Sequence, residues 1–405
     1  MLAPEFPPVW GGVGTYSFEL VRHLPKNIEV HVITPRRESF GKQKTSALES
    51  KPSEYLGSNV YIHYISKATD SFFYNARFQY ACLKQIPKFV KEEKIDVIHS
   101  HTAHMPDLLL MFRKLNVPTI TTVHTTIKSQ RIGTKLSKCA LNNMEKSEKA
   151  TSYLYPFLRA AENLYFKHKR AYITPSCWMK EWLIENFHIS AKINVIPNFV
   201  DPEDYRMKGR EDLLADVLPK DSVDKQIVLY AGRILALKGV DVLINAIPEI
   251  SNRIRSDELL FVFSGPGDDN GLRQRLEKMN IHAQYLFTGP LPKEKLIPLM
   301  IQSALVVLPS YQENCPYTVL ESMACGTPVV ASNVGGIPEI ITNNFDGVLV
   351  NSGSSTAFAR AIANLLEDRS LRDLMGKRAT STINRRFSWK TNLPEYLNTY
   401  YKVMN

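Results

Sequence analysis

The chain predicts an α/β protein of two doubly wound, Rossmann-like parallel-sheet domains, and three observations lead there. Short apolar runs alternate with helical patterns from one end to the other, as repeated strand, helix, strand units require. The 405 residues exceed what a single core usually supports. A fresh set of alternating elements begins at Gln226, behind the stretch Ile193 to Asp201. The expected division is 1–198, 199–385 and a closing helix over 386–405. Composition is that of a soluble globular protein, with 44% hydrophobic and 22% charged residues. No apolar run approaches the ~20 residues of a spanning helix and no charged-then-apolar leader opens the chain, so the expected location is cytoplasmic. Cys82, Cys139, Cys177, Cys315 and Cys325 are odd in number and form no Cys-x-x-Cys pair, which fits reduced thiols rather than a disulfide frame or a zinc site.

The opening leaves only Met1 to Ala3 for a strand ahead of a loop rich in proline and glycine. A central parallel strand that short would leave its neighbours' backbone groups unpaired, so a start codon assigned a few residues late is expected rather than a frayed strand. Gly11, Gly12 and Gly14 permit positive φ and close approach of a ligand, with a helix from Thr15 to Leu24 right behind them. Gly12 and Gly14 are therefore candidates for contact with an anion. Strands follow at Ile28 to Thr34 and Val60 to Ile65, then an amphipathic helix from Asn75 to Glu93 with Phe78, Cys82, Ile86, Phe89 and Val90 on one side. In the strand Ile95 to His101, His99 and His101 are two apart and share a face. With His104 they suggest a metal, but no carboxylate or thiol accompanies them, and no metal is expected. His101 remains a candidate ligand contact. The strand Pro118 to His124 delivers His124 at its carboxyl end, the edge where open parallel sheets hold ligands. The strand Ala171 to Pro175 and the helix Trp178 to Phe187 close this half.

In the second half the strand from Gln226 runs into Gly232-Arg233, then Lys238-Gly239 and a helix from Val240 to Ile250. A lysine at a helix start opposes the dipole at a cost of ~0.3–1 kcal/mol, so an anionic partner nearby is the natural compensation. Arg233 lies on the same connection, and both cations can reach one diphosphate. The apolar strand Leu259 to Ser264 ends in Gly265-Pro266-Gly267-Asp268, a tight turn that puts Gly265 beside the same ligand. Tyr285 to Thr288 and the helix Glu294 to Ile301 lead to the richest stretch, Gln312 to Val330, which joins the buried strand Ala304 to Leu308 to Pro328 to Ala331 through a helix. Pro316 suits the first helical position, which makes Cys315 a poor N-cap. Asn314, Cys315 and the amides of Tyr317, Thr318 and Val319 then form a phosphate cradle at the positive end of the helix dipole. Glu313 precedes the helix and Glu321 lies roughly 8 Å further along at ~1.5 Å per residue. A carboxylate on each side of a phosphate cradle grips hydroxyls on both sides of it, as a sugar nucleotide offers. Gly335 to Glu339, the strand Val348 to Val350 and helices from Thr356 to Glu367 and Leu371 to Arg386 complete the half.

Two glutamates seven residues apart, a helix of small residues and Gly-Thr-Pro-Val-Val resemble the signature of the retaining glycosyltransferases of family 4, also called group 1, which have the GT-B fold. Gly-Arg followed by Lys-Gly is similar to their diphosphate-binding pair. The resemblance covers nearly the whole chain. It implies two facing domains with an interdomain cleft, the donor on the second and the acceptor, with His101, on the first. It implies that Arg233 and Lys238 stabilise the leaving diphosphate, that Glu321 holds the ribose and Glu313 the donor sugar, and that His124 faces sugar and diphosphate. The implied reaction moves a hexosyl unit from a nucleoside-diphosphate sugar to an acceptor hydroxyl with retention, without cofactor or metal. The family usually has glycines after the first glutamate, where this chain has Asn314, Cys315 and Pro316. Two rival classes share much of the pattern: a sugar-nucleotide epimerase, whose proton-abstracting constellation is not found, and a non-catalytic nucleotide-sugar sensor.

The formal charge of +10 is concentrated. Residues 126–170 hold ten Lys or Arg against three Glu, interleaved with Tyr153, Tyr155, Phe157, Tyr165 and Phe166. Such a segment fits an anionic membrane face or a lipid-phosphate acceptor. A solvated helix with inward aromatics would look the same. A glycan is the other acceptor class, and no nucleic-acid partner is expected, because a sugar-nucleotide cleft already accounts for much of the positive charge.

Overall fold

A computed structural model describes residues 1–7, 11–37, 55–68, 74–102, 105–139, 144–167, 171–206, 211–222, 224–279, 281 and 283–405. The chain divides into two compact units, one of Met1–Lys128, Thr151–Phe199 and Trp389–Asn405, the other of Ser129–Ala150 and Val200–Ser388.

In the first unit β1 (Val30–Arg37) and β2 (Val60–Ala68) pair in parallel, and β3 (Ile98–His101), β4 (Thr119–Thr122), β5 (Ala171–Thr174) and β6 (Ile193–Val195) form a second parallel ladder. Met1–Ala3 joins the two: Leu2 N donates to His99 O at 2.8 Å, Ala3 N to Ile33 O at 2.9 Å, and Ile33 N to Met1 O at 2.8 Å. The short opening strand is thus paired on both sides, not frayed. α1 (Gly12–His23) begins three residues earlier than the sequence suggests. Its N-cap Gly11 is extended, at φ −146°, and Gly12 and Gly14 are helical, so none of the three uses positive φ. α2 (Tyr74–Glu92) covers one face through Phe78, Cys82 and Ile86. The connection from β4 to β5 carries α3 (Ile127–Leu136), α4 (Lys146–Tyr153) and α5 (Tyr155–Lys167), followed later by α6 (Cys177–Phe187).

The second unit has six parallel strands, β7 (Gln226–Ala231), β8 (Leu259–Ser264), β9 (Gln284–Gly289), β10 (Leu305–Leu308), β11 (Val329–Ser332) and β12 (Val348–Val350), in the order β12-β11-β10-β7-β8-β9. The order reverses between β7 and β10, and open α/β sheets place ligands outside the carboxyl ends of the strands at such a switch. Every residue of β8, β10 and β11 is buried, as expected of strands covered on both faces. One face packs Tyr230, Phe261 and Phe263 under α7 (Val240–Arg253), and the other packs Leu229, Val262 and Val306 against Leu299 and Met300 of α9 (Lys293–Gln302). α8 (Asn270–Lys278), α10 (Tyr317–Cys325), α11 (Ser355–Glu367) and α12 (Arg369–Arg386) complete this unit, while α13 (Trp389–Met404) belongs to the first.

Candidate functional site

The turns behind β7, β8, β10 and β11 nest into one another because glycines stand where a side chain would strike backbone. Gly239 has φ +65°, and a Cβ there would lie 2.1 Å from Pro309 O. At Gly335, with φ +56°, it would lie 1.8 Å from Glu313 O. Gly265, at φ +146°, sits against Gly232 O at 1.9 Å by the same measure. Gly265 therefore serves the close approach of two turns.

This nesting positions the charged groups. Lys238 ends a 3₁₀ turn, Ala236–Lys238, and Gly239 caps α7, so the lysine stands just ahead of the helix. Its Nζ donates to Glu313 Oε1 at 2.5 Å, and Ser310 Oγ donates to the same oxygen at 2.8 Å. The anion expected beside Lys238 is, in this structure, the Glu313 carboxylate. Arg233 stands exposed at the head of the β7 connection and, among the described residues, has no ion-pair partner. Tyr230 donates to Arg233 O at 2.7 Å. Burial first, and the Glu313 carboxylate second, hold that phenol well above its usual value, so it stays a donor, though the Arg233 guanidinium pulls the other way.

α10 starts one residue later than expected. Pro316, at φ −72° and ψ 127°, is extended and is itself the N-cap, so Cys315 lies outside the helix. The Val319 amide donates to Pro316 O at 3.2 Å, which removes it from the phosphate cradle that the sequence suggested. Thr318 Oγ1 donates to Ala231 O at 3.1 Å and ties the helix start to the end of β7. Asn314, Cys315 and Tyr317 are buried beside Glu313. Glu321 accepts a hydrogen bond from Tyr205 at 3.3 Å. Arg233, Lys238, Glu313 and the start of α10 thus share one edge of the second unit's sheet.

The first unit gathers its histidines around Tyr16. His124 Nε2 and His101 Nδ1 are 3.2 Å apart, and His101 Nε2 is 3.4 Å from Ser17 Oγ. His99 pairs with Tyr400 and with Thr122, each at 2.7 Å, and Tyr16 with Thr122 at 2.9 Å. The Tyr16 ring lies edge-on to that of His124, with centroids 4.5 Å apart. Burial pushes His99 and His124 down to about 3, with Glu5 partly opposing this at His124, and burial also holds His101 well below the usual range. All three are neutral at physiological pH. His101 is fully buried, so it bears on any ligand through His124. Gly12 is exposed with open space around its α-carbon, Gly14 is buried, and His104 lies outside the described residues.

Sequence reasoning missed Ser310, Tyr205, Glu5 and Tyr16, whose roles are set by partners distant in the chain or by ordinary residue types without a motif. The basic segment divides: Tyr165 and Phe166 are buried, whereas Tyr153 and Phe157 are 72% and 76% exposed. Lys169 and Arg170 lie outside the described residues.

Residues 218–382 match the family model described as Glycosyl transferases group 1, and residues 10–204 the one described as Glycosyltransferase Family 4. The chain is 24% identical over 403 residues to the N-acetyl-alpha-D-glucosaminyl L-malate synthase of Bacillus anthracis, covering 98% of this chain and 95% of that one. It is 33% identical over 186 residues, 44% of either chain, to a D-inositol 3-phosphate glycosyltransferase of Corynebacterium jeikeium. The solved structure of a sucrose-phosphate synthase from Thermosynechococcus elongatus is similar with a TM-score of 0.75 at 19% identity, over 97% of this chain and 93% of that one. Anabaena HepE in complex with UDP-glucose gives a TM-score of 0.70 at 16% identity, over 99% of both.

Proposed function

We propose, for a chain that belongs to the group 1, family 4 glycosyltransferases and has their GT-B fold, that it moves a hexosyl unit from a nucleoside-diphosphate sugar to an acceptor hydroxyl with retention. The supporting observation is the Lys238–Glu313–Ser310 cluster beside the exposed Arg233 at the sheet's switch point. The two cations meet the diphosphate, Glu313 the sugar hydroxyls and Glu321 the ribose. As the bond from the anomeric carbon to the diphosphate oxygen breaks, that oxygen keeps the electron pair, and Arg233 and Lys238 stabilise the charge it gains. The acceptor oxygen bonds to the anomeric carbon on the face being vacated, and its proton passes to the departing phosphate. No metal is assigned to this step: Arg233 and Lys238 are the cations assigned to the charge that develops. His124, held neutral, is the hydrogen-bonding group assigned to the donor sugar, with His101 fixing its ring.

The relatives' names include L-malate and D-inositol 3-phosphate, and a neighbour's title includes UDP-glucose. They favour a nucleotide-sugar donor with a hydroxylated, anionic acceptor, of which a glycan or a lipid phosphate is the larger form. Tyr153, Phe157 and Leu164 stand exposed ahead of Lys167 and offer an apolar and cationic surface for peripheral contact with an anionic membrane on its cytoplasmic side. Among the described residues no helix is long and apolar enough to cross one.

The test is a thermal-shift panel of UDP, GDP, ADP, CDP, dTDP and their sugars. Stabilisation by at least one, slow hydrolysis of its sugar and an unchanged anomeric configuration in the product are expected. Binding without any turnover would leave a sensor, exchange of substrate hydrogen with solvent an epimerase, and no binding at all would refute the donor site.

A further inference from the structure

The turn that carries Lys238 is held by a residue from far upstream. Glu148, on the first turn of α4, is buried, and its carboxylate accepts from Ala236 N at 3.2 Å and Leu237 N at 3.5 Å, 88 and 89 residues along the chain. The oxygen that takes Ala236 N also accepts from Glu145 N at 3.3 Å, while Glu145 accepts from Ser147 N at 2.8 Å. These reciprocal bonds form a capping box that fixes the start of α4 and aims the Glu148 carboxylate outward. The other side of the turn is fixed as well, since Tyr311 N donates to Leu237 O at 2.8 Å. The same upstream segment reaches the second glutamate's loop. Gly133 of α3 is buried where a Cβ would lie 2.7 Å from Gln312 Cβ, so the helix backbone lies directly on the residue before Glu313.

Two amides opening a turn ahead of a helix are an anion site, and here the chain fills it with its own carboxylate. Those amides are therefore not what a diphosphate meets. What they do is fix the turn's rotation, and with it the direction in which Lys238 leaves the backbone toward Glu313.

We infer that Glu148 is a positioning residue for Lys238, so that a side chain from a part of the chain that precedes the second sheet completes the diphosphate site. The inference rests on the donor-site reading above. Glu148 needs no contact with the ligand, since its effect passes wholly through Lys238.

The experiment uses the full chain and titrates the panel's nucleoside diphosphates calorimetrically against wild type, Glu148→Ala, Glu148→Gln, Lys238→Ala and the Glu148→Ala, Lys238→Ala pair. Glu148→Ala should weaken the diphosphate that binds best by roughly tenfold, about the worth of one hydrogen bond to a charged group lost through the misplaced Lys238. Glu148→Gln, with a single accepting oxygen, should fall between Glu148→Ala and wild type. In the Lys238→Ala background, Glu148→Ala should cost less than twofold, because the group it positions is gone. A general loss of fold would act equally in both backgrounds, so an undiminished effect there overturns the inference. So does a Glu148→Ala or Glu148→Gln protein that binds as wild type does. A wild type that binds none of the diphosphates overturns the donor-site reading and this inference together, which separates the two failures.

Discussion

The turns around Glu313 in the second unit and the histidine cluster of the first treat polar groups in opposite ways. Around Glu313 oppositely charged groups are set against one another, with Lys238 on the buried carboxylate and Arg233 exposed. Around Tyr16 the titratable groups are buried, stripped of charge and satisfied by neutral hydrogen bonds. The difference teaches what each region is suited for. The first can exchange one ionic partner for another when a charged ligand arrives. The second can only orient, since burying a charge without a partner costs far more than its neutral hydrogen bonds return.

Breaking the charged side should cost most in chemistry. Lys238→Ala is expected to lower donor hydrolysis by about 100-fold or more, the usual consequence of removing one preorganised charge stabiliser, with a fall in melting temperature that is small beside the loss of rate, because Ser310 still donates to the Glu313 carboxylate that loses its cation. Comparing initial rates and melting curves of the same preparations checks this, and a parallel fall in both would blur the contrast between the two regions.

Attacking the backbone that holds the charges comes next. A methyl at Gly335 would sit 1.8 Å from Glu313 O, at a φ of +56° that side chains disfavour. Gly335→Ala should therefore destabilise the protein by about 2–3 kcal/mol and displace the Glu313 loop. Denaturant unfolding measures the first effect and nucleoside-diphosphate affinity the second.

Acid sharpens the contrast from the other side. His99 and His124 titrate near 3 when folded and near the usual 6.5 when unfolded. Above about pH 6.5 neither state carries the proton and the two histidines contribute no pH dependence. As the pH falls from 6.5 toward 3, the unfolded chain takes up protons that the folded chain refuses, so stability falls. By about pH 5 the loss approaches roughly 2 kcal/mol for each histidine. Melting temperatures across pH 5 to 7.5 should show it, with a shallower slope in His99→Gln; equal slopes would mean that the cluster is not the source.

The smallest effect is expected at Tyr205. Its hydroxyl donates to Glu321 at 3.3 Å, so Tyr205→Phe should weaken nucleoside-diphosphate binding by about threefold, the worth of one hydrogen bond to a charged group at long range. Calorimetric titration beside wild type resolves a change of that size.

What could be read from the sequence follows the range over which each feature is encoded. The Glu313 stretch, Arg233 and Lys238 were legible because strand, turn and helix start lie within about twenty residues and carry their own chemistry. The cap of α10 was misjudged because proline's fixed φ suits both the N-cap and the first helical position, and only ψ, 127° at Pro316, distinguishes them. The glycines at 11, 12 and 14 suggested positive φ, but the chain uses them as an extended cap and as helix. The neutral state of the histidines was hidden because it depends on burial by distant elements, including Tyr400, 301 residues from His99. Gly335 carried no hint that its missing side chain makes room for Glu313, since two separate loops must meet before the clash exists.

The 2.5 Å pairing of Lys238 with Glu313 also bears on selectivity. A stray inorganic phosphate meets a site whose ammonium is already neutralised, and to win it the ion must leave the carboxylate stranded. A ligand bearing both phosphates and adjacent hydroxyls takes the ammonium with one part and donates to the carboxylate with the other. On the donor-site reading proposed above, this pairing would disfavour abundant small anions and favour molecules in which a sugar and a pyrophosphate are joined.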